Sequence, residues 1–297
     1  MKIVRDIAKM RELSRQVRAA GLRVSLVPTM GYLHAGHLAL FERARALSQV
    51  VVASIFVNPT QFNDASDFDT YPRDEDTDLA LLEAHGVDMV FIPERADVYA
   101  ADASTEVAVS GITQGLCAPP RPGHFEGVAT VVAALFNIVE PDLAVFGEKD
   151  YQQLQVVRRM VRDLHFPVEI EAVVTVREAD GLAMSSRNAR LGEGSRRSAA
   201  VIFKGLEAVR RAFDSGRRES RDLLAQAREQ LAAAAAVELE YLELVDGDTL
   251  EPRKQAVEGS VVAVAARLDG VRLIDNIILG RSADEEQAMC KEVIGNA

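Results

Sequence analysis

Cysteine is almost missing from this chain: Cys117 and Cys290 are its two thiols in 297 residues. Two thiols so far apart give neither a disulfide framework nor a thiolate metal site, so the expected setting is reducing and cytoplasmic. No stretch approaches the roughly 18 apolar residues of a membrane span. The opening "MKIVRDIAKMRELSRQVRAAG" spreads charges through a helical pattern and lacks the unbroken apolar centre of a signal peptide. Basic side chains are in deficit, 34 against 45 acidic ones, and the net charge of −11 repels a nucleic-acid backbone. Neither nucleic acid nor membrane is therefore an expected partner, although local clusters can still hold a small anion. The dinucleotide fingerprint GxGxxG and the phosphate loop GxxxxGK[ST] are both missing, as are internal repeats.

What is present is enough apolar content, 48%, for a substantial core, at a length that suggests two domains. Apolar runs alternate with helical patterns in the first two thirds. Strands are expected at Leu22–Val27, Val50–Val57, Val87–Ile92, Leu143–Phe146 and in "VEIEAVVTV"; helices are expected in "HLALFERARAL", Asp74–Ala84, "GVATVVAALFNIV" and "YQQLQVVRRMVRDL". This alternation implies an α/β fold, a Rossmann-like parallel sheet with helices on both faces, whose strand ends form the ligand crevice. After about Val176 the pattern changes to two helices and about three short strands, a small α+β unit with a polar tail from Arg281. The expected domains are 1–176 and 177–297.

Chemistry-bearing residues interrupt the pattern where strands should end. In "VPTMGYLHAGHLAL" a strand gives way to a helix near Gly36, so free backbone N–H groups and the positive helix end lie beside His34 and His37. Imidazoles there can donate to phosphate oxygens; they can equally be capping or exposed residues. Zinc would need two further ligands, and His124 is the one distant candidate. "FVNPTQF" places Asn58 and Gln61 after the second strand, either in a site or in an Asn-Pro turn. In "FGEKDYQQ", Lys149, Asp150 and Gln153 lie on one side of a helix start. The lysine suits phosphate and the aspartate a ribose or Mg²⁺, unless the turn is merely salt-bridged. In "LAMSSRNARL", Ser185, Ser186 and Arg187 can embrace a phosphate or simply cap a helix.

These segments, with "YPR", "RPGHFEGVATVV" and "RLIDN", stand in the order and spacing of one family, and the whole chain resembles the pantothenate synthetases (pantoate–β-alanine ligases), nucleotidyltransferases with an HxGH element. The resemblance implies a ligase that joins pantoate to β-alanine through pantoyl adenylate, with ATP and Mg²⁺ and usually as a homodimer. It implies that Met30, Gly31, His34, His37, Gly147, Glu148, Lys149, Asp150, Val176, Met184, Ser185, Ser186 and Arg187 bind ATP. His37, matching the residue assigned as proton donor, would be catalytic with His34, Lys149 and Arg187. Gln61 and Gln153 would hold pantoate, Gln61 also approaching β-alanine, while Asn58, Tyr71, Arg121 and His124 would belong to the pocket wall. Mg²⁺ would ride on the ATP phosphates, with Asp150 as a candidate protein ligand.

The resemblance also implies a mobile small domain that brings Ser185, Ser186 and Arg187 in by closing over the site. The chain departs from the usual pattern at Ala118, Ala134, Ala189 and in "VYAAD" from Val98, which bears on loop shape and interface rather than on the reaction. Two rival readings are a nucleotidyltransferase for a different small acceptor and a non-catalytic nucleotide-binding or scaffold protein.

Overall fold

The computed structural model describes every residue except Asp64, Ala283, Asp284, Gln287 and residues 290–297, and leaves aside the side chains of Ala65 and Ser66. Cys290 and the end of the expected polar tail lie outside the described residues.

Elements follow in the order β1 (Lys2–Val4), α1 (Ile7–Ala19), β2 (Val24–Thr29), α2 (Ala35–Leu47), β3 (Val50–Ile55), α3 (Ala65–Asp69), α4 (Glu75–Ala84), β4 (Met89–Phe91), α5 (Arg95–Val98), α6 (His124–Val139), β5 (Leu143–Gly147), α7 (Tyr151–Asp163) and β6 (Glu169–Val173). The second part holds α8 (Glu193–Ala199), α9 (Val201–Asp214), α10 (Ser220–Ala232), β7 (Glu238–Val245), β8 (Val261–Leu268) and β9 (Val271–Ile278).

Strands β1 to β6 form one parallel sheet in the order β1-β4-β3-β2-β5-β6. Leu26 pairs with Val52 on one side and Ala144 on the other, so β2 is central. From β2 the chain runs outward through β3 and β4, then resumes at β5 on the opposite side. That reversal opens a crevice between the carboxyl ends of β2 and β5. The expected α/β architecture is therefore what the chain adopts. The three-residue edge strand β1 was not expected, being too short to show a strand period.

The smaller sheet is antiparallel, in the order β7-β8-β9. Alternation along β8 explains how it is held. Val261 and Ala263 enter the apolar cluster that contains α6 and α7, whereas Val262, Val264 and Ala266 enter the one beneath α9 and α10. Two corrections concern the helices. The run expected as one helix from Ser195 kinks at Ala200 between α8 and α9, with no glycine or proline to mark the break. The alanine tract leaves α10 after Ala232, because beyond Leu231 there is no large apolar side chain to anchor a further turn. Among the described residues no helix is long and apolar enough to cross a membrane.

Candidate active site

The β2–α2 junction is built by its own backbone. Beyond Thr29 the chain turns through Gly31 at φ 78° and Tyr32 at φ 51°, which leaves the Tyr32 and Leu33 N–H groups pointing inward. Both donate to Asp78 of α4, at 2.7 Å each. A Cβ on Gly31 would come 2.8 Å from the same carboxylate, so glycine is required there.

His34 then caps α2. Its Nδ1 accepts from Gly36 N–H at 3.2 Å, and the Nδ1 of His37 accepts from His34 N–H at 3.3 Å. With both Nδ1 atoms accepting, the neutral rings carry their protons on Nε2. Burial, reinforced by Lys149, lowers His34 to about 4, and burial with His34 and Lys149 beside it holds His37 well below its ordinary value. The capping reading holds, and the same caps leave two neutral imidazoles, 4.1 Å between centroids, free to donate through Nε2–H.

A second lattice fixes the Gln61 amide. Asn58, 1% exposed, donates through Nδ2 to Gln61 Oε1 at 3.1 Å and to the Gly127 carbonyl at 3.0 Å. With its oxygen engaged, Gln61 turns Nε2 toward Met30 Sδ at 3.0 Å. The backbone carbonyl of Gln61 accepts from His124 Nδ1 at 2.8 Å and from Arg121 at 3.1 Å, while Arg121 also donates to His124 Nε2 at 3.0 Å. Burial lowers Arg121 to about 10; burial and then Arg121 lower His124 to about 3. The close packing needs Gly127, where a Cβ would meet the Thr60 carbonyl at 2.6 Å.

At the end of β5, Asn276 of β9 donates to the carbonyls of Glu148 at 2.9 Å and Lys149 at 3.0 Å. Lys149 Nζ lies 3.8 Å from Asp150. Burial works against charge on Asp150, but Lys149 and Arg187 hold its carboxyl below its ordinary value. The Ser-Ser-Arg turn lies against the histidine loop. Ser186 Oγ donates to the Tyr32 carbonyl at 3.2 Å, and Ser185 Oγ accepts from Arg187 N–H at 3.3 Å. Arg187 and Arg190 share Asp67, at 3.0 and 2.7 Å.

These pieces enclose a cavity of about 220 Å³ at the crevice. Every site residue expected from the sequence lines it except two. Gly31 sits behind the loop against Asp78, and Glu148 turns its carboxylate to Arg281 at 2.8 and 3.0 Å.

The pantoate-beta-alanine ligase family profile matches residues 2–278. The chain belongs to the pantoate–β-alanine ligase family. Pantothenate synthetase from Geotalea uraniireducens is 48% identical over 280 residues, 94% of this chain and 99% of that protein. The crystal structure of pantothenate synthetase from Thermus thermophilus, 48% identical, superposes with a TM-score of 0.88 over 94% of this chain and 99% of that one. A pantoate–β-alanine ligase from Francisella tularensis, solved with β,γ-ATP and β-alanine, is 31% identical with a TM-score of 0.79 over 95% of this chain and 99% of that one.

Two residues of this ligase site escaped the sequence reading. Asp78 had a signal: it stands four residues before Leu82 on the inward face of α4, where an acid is out of place. Asp67 had none, since nothing in "DASDFDT" separates it from Asp69.

The buried neutral histidines give a pH signature. In an unfolded chain they bind protons near pH 6.5, but in the fold His34 does so only at about 4 and His124 at about 3. Between those values the unfolded state binds more protons, so stability falls as pH drops below about 6.5. Asp78 and Glu42, raised by burial, act in the opposite sense. Melting temperature measured from pH 7 to pH 4 is expected to fall, and to fall less steeply in His124→Asn. Parallel curves would remove His124 from this account.

Proposed function

We propose that this chain ligates pantoate and β-alanine to pantothenate with ATP, through pantoyl adenylate. The observation that carries the reading is one crevice in which the Nε2–H groups of His34 and His37, Lys149 and the Ser185–Arg187 turn converge opposite the fixed amide of Gln61. A pantoate carboxylate oxygen attacks the α-phosphorus of ATP, and the bond to the bridging oxygen breaks to release pyrophosphate. The amine of β-alanine then attacks the activated carbonyl, releasing AMP and a proton.

Negative charge grows on the phosphates in the first step. Lys149, Arg187 and the neutral histidines supply preorganised donors for it. His37 acts here by donating a hydrogen bond, since its ring is held neutral. Gln61 Nε2 and Gln153 address pantoate, and Val128, Val131 and Phe56 give its geminal methyls an apolar wall. Met30, Gly147, Val176 and Met184 border the nucleotide, with Tyr71 on the same wall. Mg²⁺ fits this donor set: a single ionised carboxylate, Asp150, faces the cavity beside Lys149, and Mg²⁺ commonly takes one or two carboxylates together with substrate phosphates. When bound, it would neutralise phosphate charge. The same reading divides the chain into a nucleotide-binding unit, 1–176, and a covering unit, 177–297, a division that the two separate sheets support. A cytoplasmic homodimer belongs to the same reading.

Pyrophosphate is expected to form from ATP and pantoate before any β-alanine is added, with AMP and pantothenate following its addition. An absolute need for β-alanine in pyrophosphate formation, with no trappable adenylate, would overturn the two-step reading.

A further inference from the structure

Beyond the Ser-Ser-Arg turn lies a second cavity of about 420 Å³ that shares Arg121, Lys149, Asp150, Ser185 and Arg187 with the first and adds Arg190, Arg267 and Arg272. Its charge is unbalanced. Arg187 and Arg190 share the single carboxylate of Asp67. Arg267 and Arg272 share that of Glu240, at 3.8 and 2.7 Å. Lys149 is offset by Asp150, and the Asp275 carboxylate in the wall is taken by Arg177 at 2.6 Å. Arg121 has no carboxylate partner among the described residues, its donors going to His124 and the Gln61 carbonyl. Among the described residues, four guanidiniums on two carboxylates and one on none leave an excess of three positive charges in a chain whose net charge is −11.

Such a concentration, in a concave space continuous with the phosphate-binding wall, attracts a small polyanion. We propose that this chamber receives pyrophosphate as it leaves, so that the anion departs through the arginine side while the adenylate stays enclosed between Gln61 and the histidines. The inference rests on the adenylate-forming reading above and adds to it a separate product site with its own exit. Arg187 stands on the boundary: the residue lines both cavities, and its guanidinium is held toward the chamber by Asp67.

The test is a pyrophosphate titration, followed by calorimetry, of enzyme already saturated with α,β-methylene-ATP and pantoate, so that the subsite for the β- and γ-phosphates is filled. Wild type is expected to take up one further pyrophosphate. Arg190→Gln and Arg267→Gln, which lie outside the catalytic cavity, are each expected to bind it about tenfold more weakly. Both should keep wild-type melting temperatures and KM values for ATP and pantoate, and both should show weaker product inhibition by pyrophosphate. No uptake by the filled wild type, or equal affinity in the double variant, overturns the chamber. A raised KM for β-alanine with pyrophosphate affinity unchanged overturns it too, and makes the chamber the entrance for the amine substrate. Failure of the ATP analogue itself to bind counts instead against the underlying reading and appears in the first titration.

Discussion

Replacing His37 or Lys149 with alanine is expected to slow pyrophosphate formation about a hundredfold or more, the scale of losing one preorganised donor to a transition state. The KM for pantoate should change little. The His37 ring is half-buried, and its Nδ1 is tied to the His34 N–H, so Nε2 has one direction in which to donate. Lys149 is tied at its carbonyl by Asn276, so its ammonium starts from a fixed backbone. His37→Ala also removes a capping bond, and stability and chemistry must be separated. His37→Gln does so: glutamine at the third helical position can accept the N–H of the capping residue but supplies no imidazole. It should melt like wild type and still be about a hundredfold slow. Near-normal turnover in His37→Gln would move the stabilisation of phosphate charge to other groups.

Asp78→Ala is the substitution expected to cost most in stability, although Asp78 is 2% exposed and touches no substrate in the proposed site. Its two oxygens satisfy the N–H groups of Tyr32 and Leu33, and removing them strands two inward donors. Each such orphan costs about 1–3 kcal/mol, so a loss of about 2–6 kcal/mol is expected. Tyr32, at φ 51°, is held in a conformation that a non-glycine residue rarely adopts. With the carboxylate gone, that turn relaxes and the histidines following it lose their aim. Asp78→Asn keeps one acceptor but sets an NH₂ against the other N–H, and should fall between wild type and alanine. Urea denaturation and single-turnover pyrophosphate formation on the same samples check both effects. An alanine variant of normal stability would mean that the two N–H groups find water instead.

The histidine pair was legible because its proposed function and its helix cap use the same spacing: positions three apart at a helix start are both a capping pair and a convergent pair of donors. Gln61, Lys149 and Arg187 were legible as polar residues placed where strands end. Their orientation was not. The side-chain amide of Gln61 is set by Asn58 nearby, but its backbone is held by His124, 63 residues away, and sequence spacing carries no record of such a contact. Asp78 and Asp67 act on loops 45 and 120 residues distant. The parallel sheet was readable from its apolar runs, whereas the attachment of the small sheet was not, since "VVAVAARL" reads the same whether one face of a strand is covered or both.

That attachment has a consequence for how the molecule is made. Synthesis runs from the amino to the carboxyl end, so the six-stranded parallel sheet emerges from the ribosome about a hundred residues ahead of β8 and β9. Until Val261, Ala263 and Ile278 arrive, the apolar surface they share with α6 and α7 stays uncovered. Lys149 lacks its Asn276 anchor until the same late stage. Nascent chains cut short before β9 should therefore be both sticky to chaperones and inert toward ATP and pantoate, so that Lys149 is set only once β9 has been read.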